Sequence, residues 1–174
     1  NGIKQGVVIP FRAGFASGLI GGRLTSDGQL FAGGSDRGWG AKGGKPYCFE
    51  KLEWTGKVPF EVHEIRAKPD GFELTFTGPV DAAAAANPAN YTLRAFTYAY
   101  REDYGGPEID EVLPSITAAK VSDDKRSVRL TLSKLTKGHI HEFHLDGIRS
   151  STGVPLLHPA AYYTLNEIPA ATQP

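Results

Sequence analysis

Residues 72–77 read Phe-Glu-Leu-Thr-Phe-Thr, with an apolar side chain at every second place. Successive side chains on a β-strand point to opposite faces. This period of two therefore predicts a buried face of Phe72, Leu74 and Phe76 and a wet face of Glu73, Thr75 and Thr77. Residues 126–133 repeat the pattern, with Val128, Leu130 and Leu132 inward and Arg129, Thr131 and Ser133 outward. Working outward from these two, further strands are expected at 61–67, 91–100, 116–122, 140–146 and 162–165. Asp70-Gly71, Asp123-Asp124 and Lys137-Gly138 supply turn residues between them. About seven short strands at such spacing predict an antiparallel β-sandwich over residues 58–169. Asp81 to Asn87 predicts a single helical turn with Asp81 as its N-cap.

Residues 1–57 have a different texture. They carry most of the chain's 21 glycines, and their apolar stretches are short: Val7-Val8-Ile9, Leu30-Phe31-Ala32 and Tyr47 to Trp54. Turns are expected at Gly21-Gly22, Asp27-Gly28 and Gly33-Gly34. Three or four such strands cannot bury two faces by themselves, so this segment needs a neighbour. The join falls near Thr55-Gly56-Lys57-Val58-Pro59, and residues 170–174 read as a flexible tail.

Composition narrows the function classes. Lys plus Arg equals Asp plus Glu at 19 each, and no basic cluster interleaves with aromatics, so nucleic acid is not an expected partner. No apolar run reaches the roughly 20 residues of a membrane span, and no signal peptide is visible. The chain starts at Asn1 and contains no Met, which suggests a piece of a longer polypeptide. The single Cys48 permits no internal disulfide and no thiolate cluster, and reads as a small apolar strand residue.

Several motifs carry a resemblance. Leu74-Thr75-Phe76-Thr77-Gly78-Pro79-Val80-Asp81, Asn87-Pro88-Ala89-Asn90-Tyr91, Val121-Ser122-Asp123-Asp124, Val128 to Leu132, Asp146-Gly147-Ile148 and Ser151-Thr152-Gly153 resemble a bacterial Ig-like module found on surface and periplasmic proteins. In that family a strand ends at an F-x-x-P-V-D turn and an N-Y segment starts the next. Ser17-Gly18, Asp27 to Gly34, Arg37-Gly38-Trp39-Gly40 and Leu52 to Lys57 look like the last blade of a sorbosone/glucose-dehydrogenase-type propeller. Proteins of that kind carry this sandwich after the propeller and end in a segment like Tyr163 to Pro169. The resemblance implies a secreted or periplasmic oxidoreductase as parent. A propeller needs about four to eight blades, and this chain has sequence for one. A c-type haem needs Cys-x-x-Cys-His, which is absent. No cofactor and no catalysis are therefore expected of the chain itself.

Three groups of residues look chemical. Asp36, Arg37 and Trp39 offer a guanidinium fork and an indole beside glycine turns, suited to a sugar or a carboxylate. The plainer alternative, which is preferred, has Arg37 pairing with Asp36 or capping a strand while Trp39 fills the seam between blade and sandwich. Glycines 33, 34, 38, 40, 43 and 44 serve either reading as positive-φ turn residues. No helix opens behind them, so a phosphate loop is not supported.

Next come Phe96, Tyr98 and Tyr100 on one strand face, with Tyr104 opening a carboxylate-rich loop. These suit a sugar platform or, preferably, an interdomain docking face. Asp103, Glu108, Asp110 and Glu111 in that loop invite calcium, but their spacing does not match an EF-hand, and a solvated loop is the expectation. Last, His139 and His141 share one face of a strand while His144 points the other way. Two imidazoles do not complete a zinc site. His141 is instead expected beside Phe143 and Leu145 on the core side, near a strand end where its polar tip finds a partner.

The sequence thus predicts an all-β chain, an Ig-like antiparallel sandwich preceded by a propeller-blade-like sheet segment. Its expected role is a non-catalytic accessory module that covers and closes the propeller of its parent. Partners would be the remainder of that polypeptide or another domain. The alternative is a carbohydrate-binding module using Trp39, Tyr98, Tyr100 and Tyr104. The blade–sandwich seam is expected to include Trp39 or Trp54.

Overall fold

The alternation at 72–77 does in three dimensions what its period requires. In the computed structural model, which describes residues 2–38 and 40–171, Phe72, Leu74 and Phe76 are buried and Glu73 and Thr75 are half-buried. In chain order the first strands are β1 (Gly6–Val8), β2 (Leu19–Leu24), β3 (Leu30–Ser35), β4 (Tyr47–Leu52), β5 (Val62–Lys68) and β6 (Gly71–Phe76). A four-residue helix, α1 (Ala82–Ala85), and a 3₁₀ turn at Pro88–Asn90 follow. Then come β7 (Thr92–Tyr98), β8 (Glu108–Val112), β9 (Ile116–Val121), β10 (Ser127–Leu132), β11 (His139–His144) and β12 (Ala160–Leu165). The chain divides into two compact units, Asn1–Pro10 with Pro59–Pro174, and Phe11–Val58.

The larger unit is an Ig-like antiparallel β-sandwich. One sheet has five strands in the order β1-β12-β11-β7-β8, and the other has four in the order β5-β6-β10-β9. Their facing sides meet in one core that includes Phe72, Leu74, Leu130, Phe143, Leu145, Ile148, Tyr163 and Leu165. Phe72 is the pivot of that core. Projecting from β6, its ring lies 5.1 Å from Phe143, 5.1 Å from Tyr163 and 5.2 Å from His141, all on the opposite sheet. His141 and Tyr163 are direct partners across β11 and β12, so one ring from one sheet seats against two neighbouring strands of the other.

The motif residues at the sandwich end have physical duties. Asp81 caps α1 as expected, with its carboxylate accepting the Ala84 N–H at 2.8 Å. Asn87 caps the 3₁₀ turn through the Ala89 N–H, and Asn90 donates to the Ala84 carbonyl at 2.8 Å. The buried Tyr91 hydroxyl donates to the Ala85 carbonyl at 2.6 Å. A Cβ on Gly147 would run into the Asn90 side chain, so that glycine serves close packing.

The first difference from the expected organisation concerns β1. Val7-Val8 does not join the first segment. Gly6, Val7 and Val8 pair with Thr164, Tyr163 and Tyr162, placing β1 at the edge of the sandwich. Gln5 clasps this edge through its side-chain oxygen, which accepts from the Asn166 and Glu167 N–H groups at 3.1 and 2.8 Å. The sandwich therefore draws on both sides of a 57/58 boundary. Residues 172–174 of the expected tail lie outside the described residues.

The smaller unit contains the three-stranded antiparallel sheet β2-β3-β4, one strand short of a usual propeller blade. Its glycine pairs are not the turns that the sequence predicts. Gly21-Gly22 lies inside β2 and Gly33-Gly34 inside β3. Close approach explains Gly34 better than φ does. A Cβ on Gly34 would collide with the Gly18 carbonyl, whose oxygen accepts the Ser35 N–H at 2.9 Å. Gly38, Gly40, Gly43 and Gly44 do take positive φ.

Removing the pivot is expected to cost most. Phe72→Ala should lower unfolding free energy by about 3–5 kcal/mol, a large part of a typical domain's stability. Tyr100→Ala, at a fully exposed position, should stay within about 0.5 kcal/mol. Urea denaturation followed by circular dichroism checks both.

Candidate functional site

The outer face of the five-stranded sheet holds a concavity of about 380 Å³. Among its lining residues are Tyr162 from β12, Ile140 and Glu142 from β11, Arg94 and Tyr98 from β7, and Glu108 from β8. Register explains this gathering. Tyr162, Glu142 and Arg94 are successive cross-strand partners, and Tyr98 pairs directly with Glu108.

Arg94 organises the charge. Its Nε donates to Glu142 at 2.7 Å, and its NH1 to Glu108 at 2.6 Å and to Glu111 at 3.4 Å. NH2 lies 2.6 Å from Glu142 and donates to the other Glu108 oxygen at 3.4 Å. These carboxylates, Glu108 foremost and then Glu142, hold the guanidinium even more firmly protonated than usual. The second Glu142 oxygen faces His144 Nε2 at 2.9 Å. Beneath the network the Phe96 ring is buried, with the Arg94 guanidinium 4.4 Å above its centroid and Tyr98 edge-on at 5.5 Å.

This arrangement replaces the acidic loop that the sequence predicts. Glu108, Asp110 and Glu111 lie on a strand, β8, which pairing to β7 stabilises against the low β-propensity of carboxylates. The register slips by one residue between Ala95 and Thr97, and Asp110 takes φ 55°. That bulge turns Glu108 and Glu111, three apart, toward the same guanidinium, whereas a regular strand aligns residues two apart. Asp tolerates the left-handed conformation the bulge needs. Arg94 thus holds the cation position that Glu108 and Glu111 had suggested for calcium. Among the described residues no three His, Cys, Asp or Glu side chains gather as a metal site.

The anticipated residues fall as follows. Tyr98 lines the groove and is half exposed. The strand ends there, so Tyr100 does not continue the face of Phe96 and Tyr98. Tyr100 and Tyr104 are fully exposed in the connection to β8. Asp36 and Arg37 form a turn after β3. The Asp36 carboxylate accepts the Gly38 N–H at 2.9 Å, and the Arg37 N–H, at φ 55°, donates to the Ser35 hydroxyl. Trp39 lies outside the described residues. Trp54 is 63% exposed. The Arg94 network and the Glu61–His158 pair at 2.8 Å had no local sequence signal, because their partners are far apart in the chain.

His141 sits on the core face with Phe143 and Leu145, as its alternation predicts. Its tip finds no partner, however. Both ring nitrogens are buried with no hydrogen bond among the described residues. Tertiary packing against Phe72 fixes the ring in the core, and burial pushes its pKa down to about 4. The chemistry available to it is acid sensitivity rather than ligation.

No family model and no curated protein matches the chain. Among solved structures it is similar to the S-layer protein rSbsC(31-844), at 22% identity and a TM-score of 0.48, covering 66% of this chain and 15% of that one. It is also similar to the N-terminal part of the bacterial S-layer protein SbsC, at 20% identity and a TM-score of 0.47, covering 66% and 25%. The chain therefore spans a quarter or less of the length of these structures. Nothing about ligand or activity follows from them.

The His141 environment generates a pH dependence. The unfolded imidazole titrates near 6.5 and the folded one near 4, so the unfolded state binds the extra proton between those values. Stability is full above about pH 6.5 and falls as pH drops toward 4, by about 3 kcal/mol from this group. His141→Phe should flatten the pH 7 to pH 4.5 difference in urea midpoint while keeping the ring contact with Phe72. An unchanged slope would refute the assignment.

Proposed function

We propose that the chain is a non-catalytic structural module of a larger secreted or periplasmic polypeptide, and that this parent is a sorbosone/glucose-dehydrogenase-like propeller protein. The observation that carries the reading is the state of the small sheet. Among the described residues β2 and β4 each pair on one side only, and every residue of β2 is exposed. On β4 Tyr47 and Phe49 are each 77% exposed, with Phe31 stacked on Phe49 at 5.9 Å. Open edges with apolar faces invite pairing, and three strands alone bury little. A sheet of this kind makes physical sense as part of a larger β-assembly that supplies further strands. The sandwich, with a closed core and its main charges spent on one another, is the anchor of that assembly.

Among the described residues no helix is long and apolar enough to cross a bilayer. Among the described residues of the aromatic set weighed for a sugar, Tyr98 lines the groove.

Hydrogen exchange on the 174-residue chain tests the scaffold reading. Amides of β2–β4 should exchange much faster than those of β6, β10 and β11, whose protection follows global unfolding. Tyr47→Ser with Phe49→Ser should raise solubility and leave the sandwich's unfolding unchanged. Equal protection in both sheets, or turnover of a sugar or polyol with a quinone acceptor by this chain, would overturn it.

A further inference from the structure

We infer that the groove on the five-stranded sheet is a binding site for an uncharged glycan, with Tyr98 as the stacking ring and Glu108 as the hydroxyl acceptor. The inference goes beyond the scaffold reading and stands on different residues, so the failure of either leaves the other in place.

The pairing of Tyr98 with Glu108 is the starting point. Direct cross-strand partners bring their Cβ atoms to about 5 Å, which sets one aromatic ring beside one carboxylate. A sugar ring presents an apolar face of C–H bonds and an edge of hydroxyls, and this juxtaposition answers both. Both groups are also preorganised, which lowers the ordering cost of binding. Tyr98 is held edge-on against the buried Phe96 and remains 50% exposed. Glu108 is fixed by two Arg94 nitrogens, and its side chain is 41% exposed. A carboxylate has about four acceptor positions, so after two bonds to Arg94 the outer lone pairs remain for a pair of hydroxyls.

Charge decides which glycan. The Arg94 donors are turned to Glu142, Glu108 and Glu111, which leaves little to receive an incoming anion. The groove is lined by two carboxylates and one guanidinium, a balance that disfavours uronic or sialic acids. The same carboxylates are engaged by Arg94 and His144, so a cationic peptide gains little beyond screened attraction. Uncharged hydroxyl groups suit what remains. The volume of about 380 Å³ is at the lower end for small-molecule sites, with room for about one or two sugar rings between Tyr98 and the partly exposed Tyr162.

Affinity electrophoresis of the 174-residue chain in native gels tests this. The gels would contain β-glucan, xylan, glucomannan, galactan or soluble starch, with polygalacturonate and polylysine as charged probes. At least one neutral polysaccharide should retard the chain. Tyr98→Ala should weaken that retardation about tenfold, the loss of one stacking contact, while the chain stays folded by circular dichroism. Glu108→Gln should weaken it too, and Tyr104→Ala should leave it intact. The inference is overturned if no neutral polysaccharide retards the chain, if retardation survives Tyr98→Ala, or if polygalacturonate or polylysine is the probe that binds.

Discussion

The sandwich depends on the seating of Phe72. Its ring crosses from the four-stranded sheet into a recess formed by His141, Phe143 and Tyr163, and so ties β6 to β11 and β12 together. Two sheets can slide on a layer of aliphatic side chains, whereas an edge-to-face aromatic cluster has a preferred geometry. Gly71, the residue just before Phe72, contributes by omission. A Cβ there would strike the Leu130 carbonyl on the adjacent strand, so β6 and β10 approach closely at the point where the ring leaves the backbone. The cost of this arrangement falls on His141, which supplies ring area to the cluster and gives up its hydrogen bonds.

The same strand shows how the two faces of a sheet divide their work. His141 and Phe143 face the core, while Glu142 and His144 face outward with the Arg94 network. Glu142 is nearly as buried as the core, although it lies on the solvent side, because Arg94 and its neighbours roof it over. A carboxylate in that position depends on its guanidinium partner, since an unpaired buried charge is costly. The groove floor is consequently stiff, held by charge above and by aromatic packing below.

Much of the fold was legible because the sandwich strands obey a period of two. Phe72 to Thr77 and Arg126 to Ser133 could be read directly, and Asp81 announced its cap. What escaped was whatever depended on a distant partner. β8 reads as a loop because three of its five residues are acidic, and only its pairing with β7, with Arg94 bridging Glu108 and Glu111, makes a strand of them. Gly33-Gly34 reads as a turn because a sequence does not reveal that the Gly18 backbone will press on it. The groove was half visible: Tyr98 stood out by its spacing, while Glu142, Ile140 and Tyr162 came to it through strand register. Tyr100 and Tyr104 matched the expected chemistry in type but not in place.

The edge pairing of β1 with β12 has a mechanical side. Gly6 lies opposite Thr164 and Val8 opposite Tyr162, so the leading end of β1 adjoins the trailing end of β12. Tension applied before β1 and after β12 would therefore load this pair in peeling rather than in shear, one rung at a time. The Gln5 clasp on Asn166 and Glu167 stands at the front of that peel and would bear the pull first. Within a polypeptide under tension, β1 would peel first and release a short slack segment, drawing Val7 off the edge of the core.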